Sequence, residues 1–150
     1  MMTQRILCPV DFSPASREAL ATASALARQT GATLHIVHVE RSPLAFSPGM
    51  SGNFPNPADP ESHLLWQTAP TSADVRFEHA LLLGDPPTEI LRYAADHDVQ
   101  LIVMGTEGRS GISRLVMGSV AEAVSRRAET PVMMVKPQAV QAQLANAEEA

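Results

Sequence analysis

The sequence predicts an α/β fold with a parallel sheet, and the alternation of two kinds of segment carries this prediction. Short apolar segments of strand length alternate with longer segments of helical periodicity along the 150 residues. Strands that are separated by helices are joined by right-handed crossovers, which connect parallel strands. A chain of this length forms one domain with a sizeable core. We assign that domain to residues 1–137 and expect residues 138–150 to form a frayed C-terminal tail.

The first strand and helix carry strong local signals. Residues 5–10 are mostly apolar and are predicted to form the first strand. Ser13 suits the N-cap of the following helix and Pro14 suits its first turn, whereas Gly31 suits its C-cap. Residues 33–39 are predicted to form the second strand. The first helix is therefore expected to connect two parallel strands.

The middle of the chain is less regular. The proline-rich residues 42–60 are predicted to form a long surface loop. Residues 61–69 are predicted to form a short helix, and we expect Trp66 to pack this helix onto the sheet. A third strand is predicted within residues 75–83. Asp85 and Pro86 then mark the start of another helix, as a cap and a first-turn proline.

A glycine-rich stretch follows the fourth predicted strand, residues 101–104. Its three glycines are Gly105, Gly108 and Gly118. Ser119 follows the last glycine and is predicted to cap a helix, because Glu122 lies three residues further on and completes a capping box. This segment therefore leads from a buried strand into the positive end of a helix, where backbone amides can hold phosphate oxygens.

Two interpretations of the glycine-rich stretch remain open. The glycines provide either an anion site or only the tight turns that follow strands. The spacing is neither that of a Walker A loop nor that of the dinucleotide fingerprint. Arg109 and Arg114 either pair with phosphates or remain solvated surface charges, and Glu107 would repel a phosphate unless a metal ion lies between them.

Asp11 follows the first strand and is a second candidate ligand residue. In an open parallel sheet, ligands bind beyond the carboxyl ends of the strands, where the winding reverses. If the first and fourth strands are neighbours, Asp11 and Gly105 meet in one crevice. The alternative is that Asp11 only forms an Asx turn that leads into the first helix.

Composition argues against several classes of protein. The formal net charge is −5, so nucleic acid or an acidic membrane surface is not the expected partner. We expect no signal segment and no membrane span, because no apolar run has the required length. The single cysteine, Cys8, fits a reducing cytoplasm and is expected to be a buried thiol. The histidines lack metal-ligand spacing, and His35 and His38 should face opposite sides of a strand.

The glycine spacing and the segment Pro9-Val10-Asp11-Phe12-Ser13 resemble the universal stress protein family, specifically its ATP-binding branch. The resemblance extends from residue 3 to about residue 137. It implies a three-layer, Rossmann-like sandwich with a five-stranded parallel sheet in the order 3-2-1-4-5. It also implies that Asp11 holds the ribose or adenine and that the Val39 backbone reads the adenine edge. The complete set of expected cofactor-binding residues is Pro9, Val10, Asp11, Val39, Met104, Gly105, Gly108, Arg109, Gly118, Ser119 and Val120.

The function that this resemblance implies is a cytoplasmic stress-response regulator. It would bind ATP, with or without Mg²⁺, and its nucleotide state would alter the binding of an unidentified protein partner. No base or water-positioning residue is evident near the glycines, so we expect no catalytic residue and at most weak ATPase activity. The alternatives are a slow ATP hydrolase or phosphoryl-transfer enzyme, and a nucleotide-free dimeric interaction module.

A homodimer is expected through the fifth predicted strand. This strand is an unbroken apolar run of Val132, Met133, Met134 and Val135. If it lies at the sheet edge, its unpaired amides and carbonyls form a template for a second copy. The alternative is that the tail after Pro137 covers this edge and the protein stays monomeric.

Overall fold

The computed structural model describes residues 4–41, 61–106 and 118–136, which contain a five-stranded parallel sheet. Its strands are β1 (Arg5–Pro9), β2 (Thr33–Glu40), β3 (Phe77–Leu83), β4 (Leu101–Gly105) and β5 (Val132–Val135). They lie in the order β3-β2-β1-β4-β5, and every neighbouring pair is parallel. The predicted α/β class and strand order are therefore confirmed. The winding reverses between β1 and β4.

Helix α1 (Pro14–Thr30) covers one face of the sheet. The Ser13 hydroxyl accepts a hydrogen bond from the Ser16 amide at 3.2 Å, and Gly31 ends the helix with a φ of 75°. Both caps agree with the sequence prediction. The buried face of α1 consists mainly of small side chains, which allow the helix to approach the sheet closely. Its alanines are Ala15, Ala19, Ala23 and Ala27.

Helices α2 (Pro86–Asp96) and α3 (Ser119–Arg127) pack over the opposite face. Asp85 caps α2 as predicted, because its Oδ2 accepts from the Thr88 amide at 3.3 Å and from the Thr88 hydroxyl at 2.6 Å. The hydroxyl bond lowers the pKa of Asp85. The sheet therefore carries an apolar cluster on each face, which gives the three-layer sandwich. No helix within the described ranges is long and apolar enough to cross a membrane.

The two histidines of β2 face opposite layers, as predicted. His35 is 2% exposed, and its Nδ1 lies 2.6 Å from the Tyr93 hydroxyl in the α2 layer. His38 is 4% exposed, and its ring contacts Phe12 on the α1 side. Burial is the main cause that lowers the pKa of His35. His35 is therefore neutral near pH 7.

Two local predictions are wrong. Gly118, not Ser119, is the N-cap of α3, so Ser119 is already the first helical residue and no Ser119–Glu122 capping box forms. The predicted short helix within 61–69 does form, as the 3₁₀ helix Ser62–Gln67, but the expected packing by Trp66 is wrong, because Trp66 remains 57% exposed at the edge of the His79 ring. The fully buried Leu65 anchors that segment instead. The predictions for residues 42–60 and 138–150 lie outside the described residues.

Candidate functional site

The candidate site lies where β1 and β4 end side by side. These two strands pair directly, with Ile6 opposite Leu101 and Leu7 opposite Ile102. The amide of Gly118 donates to the carbonyl of Thr106, so the start of α3 returns to the residue that follows β4. The carboxyl ends of two central strands and the N-terminus of a helix therefore meet at one edge of the sheet. This is the usual position of a ligand crevice in an open parallel sheet.

Asp11 forms the turn that the sequence left as an alternative. Its Oδ1 accepts a hydrogen bond from the Ser13 amide at 3.0 Å, and its own amide donates to the Ser16 hydroxyl at 3.3 Å. Phe12, between Asp11 and Ser13, has a φ of 66°. A carboxylate has two oxygens that accept several hydrogen bonds. The turn therefore does not exclude a role for Asp11 in ligand binding.

Val10 joins the end of β1 to β2 through both of its backbone groups. Its amide donates to the Val37 carbonyl at 2.8 Å, and its own carbonyl lies 2.8 Å from the His38 Nδ1. The Val10 side chain is 5% exposed, and Pro9 lies opposite Val37 in the last register pair of β1 and β2. The predicted site residues Pro9 and Val10 thus hold the floor of the crevice through their backbone and packing.

The backbone of Val39 points to the β1 side of β2, beyond the end of β1. The N–H and C=O groups of one strand residue point to the same side, and the direction alternates along the strand. The Val37 carbonyl points toward β1, because it accepts from the Val10 amide. The Val39 N–H and C=O therefore point to the same side, two residues past the last β1–β2 register pair. A donor and an acceptor are thus presented next to each other at the crevice.

Close packing against α1 requires a glycine at position 105, which the sequence alone did not reveal. A Cβ at this position would lie 2.8 Å from the backbone carbonyl carbon, the backbone oxygen and the Cβ of Ala15. The first turn of α1 therefore rests directly on the end of β4. The neighbouring Met104 is 6% exposed and packs in the cluster under α2 and α3. If either residue contacts a ligand, it does so with its backbone.

The N-terminus of α3 presents backbone amides toward the same edge. Gly118 accepts from the Glu122 amide at 2.9 Å, and it has no side chain with which to cap the first turn. The first amides of a helix have no intrahelical acceptor and carry the positive end of its dipole. Ser119 is exposed, whereas Val120 packs against the core. The amides of Ser119 and Val120 therefore suit an anion.

The remaining predicted site residues, Gly108 and Arg109, lie outside the described residues, as do Glu107 and Arg114. In the ranges that the structure does describe, no group of three His, Cys, Asp or Glu side chains could hold a metal ion.

Two residues next to the site were not among the predicted site residues. His38 contacts the Val10 carbonyl, and Phe12 adopts a backbone conformation that is rare for a bulky side chain. The signal for His38 was available, because a histidine on the buried side of a strand needs a hydrogen-bond partner. Nothing in the local sequence indicates the positive φ of Phe12.

The fold and the crevice define a parallel α/β protein with a candidate ligand site at the switch point of its sheet. The chain matches the model of the universal stress protein family over residues 2–136, and it belongs to that family. The universal stress protein YxiE of Bacillus subtilis is 30% identical over 148 residues, which cover 90% of this chain and 100% of that relative.

Solved structures of family members share the fold. A universal stress protein from Archaeoglobus fulgidus superposes with a TM-score of 0.69 at 27% identity, and the match covers 91% of this chain and 100% of that one. A universal stress protein from the same organism, solved in complex with dAMP, gives a TM-score of 0.64 at 26% identity. That match covers 90% of this chain and 98% of the other.

Proposed function

We propose that this chain binds ATP in the crevice at the carboxyl ends of β1, β2 and β4, and that it acts as a cytoplasmic stress-response regulator. The single observation that carries the proposal is the direction of the Val39 backbone, whose N–H and C=O point to the β1 side of β2 beyond the last β1–β2 register pair. Adenine carries an amino donor at N6 beside the ring acceptor N1, so its edge is complementary to such a pair. Guanine carries an acceptor at O6 instead.

The rest of the crevice suits the sugar and the phosphates. The amides of Ser119 and Val120 begin α3 next to Thr106, and a helix N-terminus stabilises phosphate oxygens. The Asp11 carboxylate follows β1 and can accept from a ribose hydroxyl. The related A. fulgidus protein was solved in complex with dAMP, which supports an adenine nucleotide as the ligand class.

Isothermal titration calorimetry with ATP and GTP tests the proposal. We expect ATP to bind at least about tenfold more tightly, which corresponds to about 1.4 kcal/mol, because the Val39 carbonyl would face the guanine O6. Equal affinity for the two nucleotides would contradict base recognition by Val39. A timed assay of ADP formation on the same samples measures hydrolysis, which we expect to be slow.

Asp11 is tested with a matched pair of substitutions. Asp11→Asn keeps an oxygen that can accept from the Ser13 amide, so the turn is retained while the charge is lost. We expect this substitution to weaken ATP binding by about 1–3 kcal/mol. Asp85→Asn is the control, because the Asp85 carboxylate also accepts from a backbone amide at the start of a helix but follows the edge strand β3. Equal effects of the two substitutions on affinity would show that Asp11 acts only through general stability.

Regulation requires that nucleotide binding change a surface that a partner recognises. Asp11 lies in the turn that leads into α1, and the Ser119 amide lies in the first turn of α3, so an ordered nucleotide would stiffen the starts of both helices. A pull-down with and without ATP tests this part of the proposal, and Asp11→Asn serves as the variant that binds nucleotide weakly. Partner recovery that is unchanged by ATP would argue for a nucleotide-independent interaction module.

We also propose a homodimer through β5. This strand lies at one edge of the sheet, and Met133 is 37% exposed. Two copies that pair their β5 strands antiparallel about a twofold axis would satisfy the outward backbone groups of both strands. Light scattering on a sizing column measures the mass directly. A monomeric mass at tens of micromolar, roughly the range in which a stable interface is occupied, would end this proposal.

A further inference from the structure

We propose that His38 is a positioning residue for the nucleotide site, because it holds the turn between β1 and α1 in the shape that presents Asp11. This inference rests on the proposed function, since Asp11 is the residue that would touch the ligand. His38 itself lies on β2, is 4% exposed, and would not touch the nucleotide. It acts on the turn through one hydrogen bond and one ring contact.

The hydrogen bond joins His38 to the last residue before the turn. The His38 Nδ1 lies 2.8 Å from the Val10 carbonyl oxygen. A carbonyl oxygen can only accept, so Nδ1 carries the hydrogen and donates it. The Val10 amide also bonds to β2, at the Val37 carbonyl. Val10 is therefore fixed to β2 on both of its backbone groups, and the turn starts from a fixed point.

The ring contact supports a strained residue. Phe12 has a φ of 66°, and its ring centroid lies 4.8 Å from that of His38. Among the described residues other than glycine, only Asp98 shares this positive φ. Aspartate tolerates a left-handed conformation because its short polar side chain can form local hydrogen bonds. Phenylalanine has no such compensation. The conformation of Phe12 therefore depends on the contacts that surround it.

The two contacts act on the same few atoms of the turn. Asp11 lies between Val10, which His38 fixes by its hydrogen bond, and Phe12, which His38 supports with its ring. The carboxylate of Asp11 in turn bonds to the Ser13 amide at 3.0 Å. Loss of the His38 donor would free the Val10 carbonyl and let Phe12 relax to a negative φ. The Asp11 carboxylate would then leave its present position.

The test compares two substitutions of His38. In His38→Asn, the side-chain amide nitrogen takes the place of Nδ1 and keeps the donor to Val10. In His38→Leu, the volume is roughly kept but the donor is lost. Both substitutions remove the ring that contacts Phe12, so they differ in the donor to Val10. We expect His38→Leu to bind ATP about five- to tenfold more weakly than His38→Asn, the size of one hydrogen bond. Urea unfolding of each variant measures stability separately.

Amide hydrogen exchange supplies a readout that needs no nucleotide. We expect the Ser13 amide, which bonds to the Asp11 carboxylate, to exchange faster in His38→Leu than in His38→Asn. If the unsubstituted protein fails to bind ATP, the proposed function is wrong, whereas the exchange rates still decide whether His38 holds the turn. Equal exchange rates in both variants, equal ATP affinities, or a His38→Leu protein that does not fold would overturn the positioning role.

Discussion

Gly105→Ala tests the close contact between β4 and α1. The added methyl group would lie 2.8 Å from three atoms of Ala15, two of which belong to the backbone of the first turn of α1. A flexible side chain could move aside, but these backbone atoms can move only with the helix. Overpacking of this kind costs about 1–3 kcal/mol. For a chain of this length, that loss lowers the melting temperature by about 2–4 °C for each kcal/mol.

Urea unfolding followed by circular dichroism measures this loss, and Gly31→Ala is the matched control. Nothing lies within 4 Å of a methyl group at Gly31, but its φ of 75° penalises any side chain. We expect a stability loss of about 1–2 kcal/mol from that strain. Only Gly105→Ala should also weaken ATP binding, because only Gly105 lies at the crevice. An unfolding free energy within about 0.5 kcal/mol of the unsubstituted value, roughly the scatter of neutral substitutions, would refute the packing argument for Gly105.

Three further substitutions test other parts of the structure. Burial lowers the pKa of His35 in the fold, so the unfolded chain binds more protons than the folded one below about pH 6.5. The free energy of unfolding should therefore fall as the pH drops from 7 to 5. Urea titrations at each pH should show a smaller fall for His35→Leu. Ser13→Ala should cost about 1 kcal/mol, since it deletes the cap of α1, and an unchanged urea midpoint would contradict this. Met134→Pro should weaken the proposed dimer more than ATP binding, because it removes a backbone donor from β5; a dimer of unchanged strength in light scattering would exclude β5 as the interface.

Local chemistry explains which elements the sequence predicted well. The ends of α1 and the start of α2 depend on single side chains next to them, such as Ser13, Gly31 and Asp85, and each forms the predicted cap. The prediction that Ser119 caps α3 was wrong because the neighbouring Gly118 takes the cap position. A serine after a glycine is compatible with either assignment, and the hydrogen bond from the Glu122 amide to the Gly118 carbonyl shows that Gly118 is the cap.

Long-range contacts explain what the sequence could not predict. The strand order came from the family resemblance, because neither periodicity nor caps indicate which strands are neighbours. Gly105 was read as a ligand residue, but its contact with Ala15 joins elements that are distant in the chain. The contact between His38 and the Val10 carbonyl likewise depends on the register of β1 and β2. Trp66 was predicted to pack its helix onto the sheet, yet the neighbouring Leu65 occupies the core position.

The burial of Cys8 makes this chain a convenient host for spectroscopic labels. Cys8 is fully buried in β1, and burial raises the pKa of its thiol to about 12, so thiol reagents at neutral pH find almost no thiolate there. It is also the only cysteine in the sequence. A fluorophore attached through Ser125→Cys, on the exposed side of α3, would therefore report on that helix alone. Changes in its emission during nucleotide titration would follow the helix in real time, and Cys8 would not have to be replaced first.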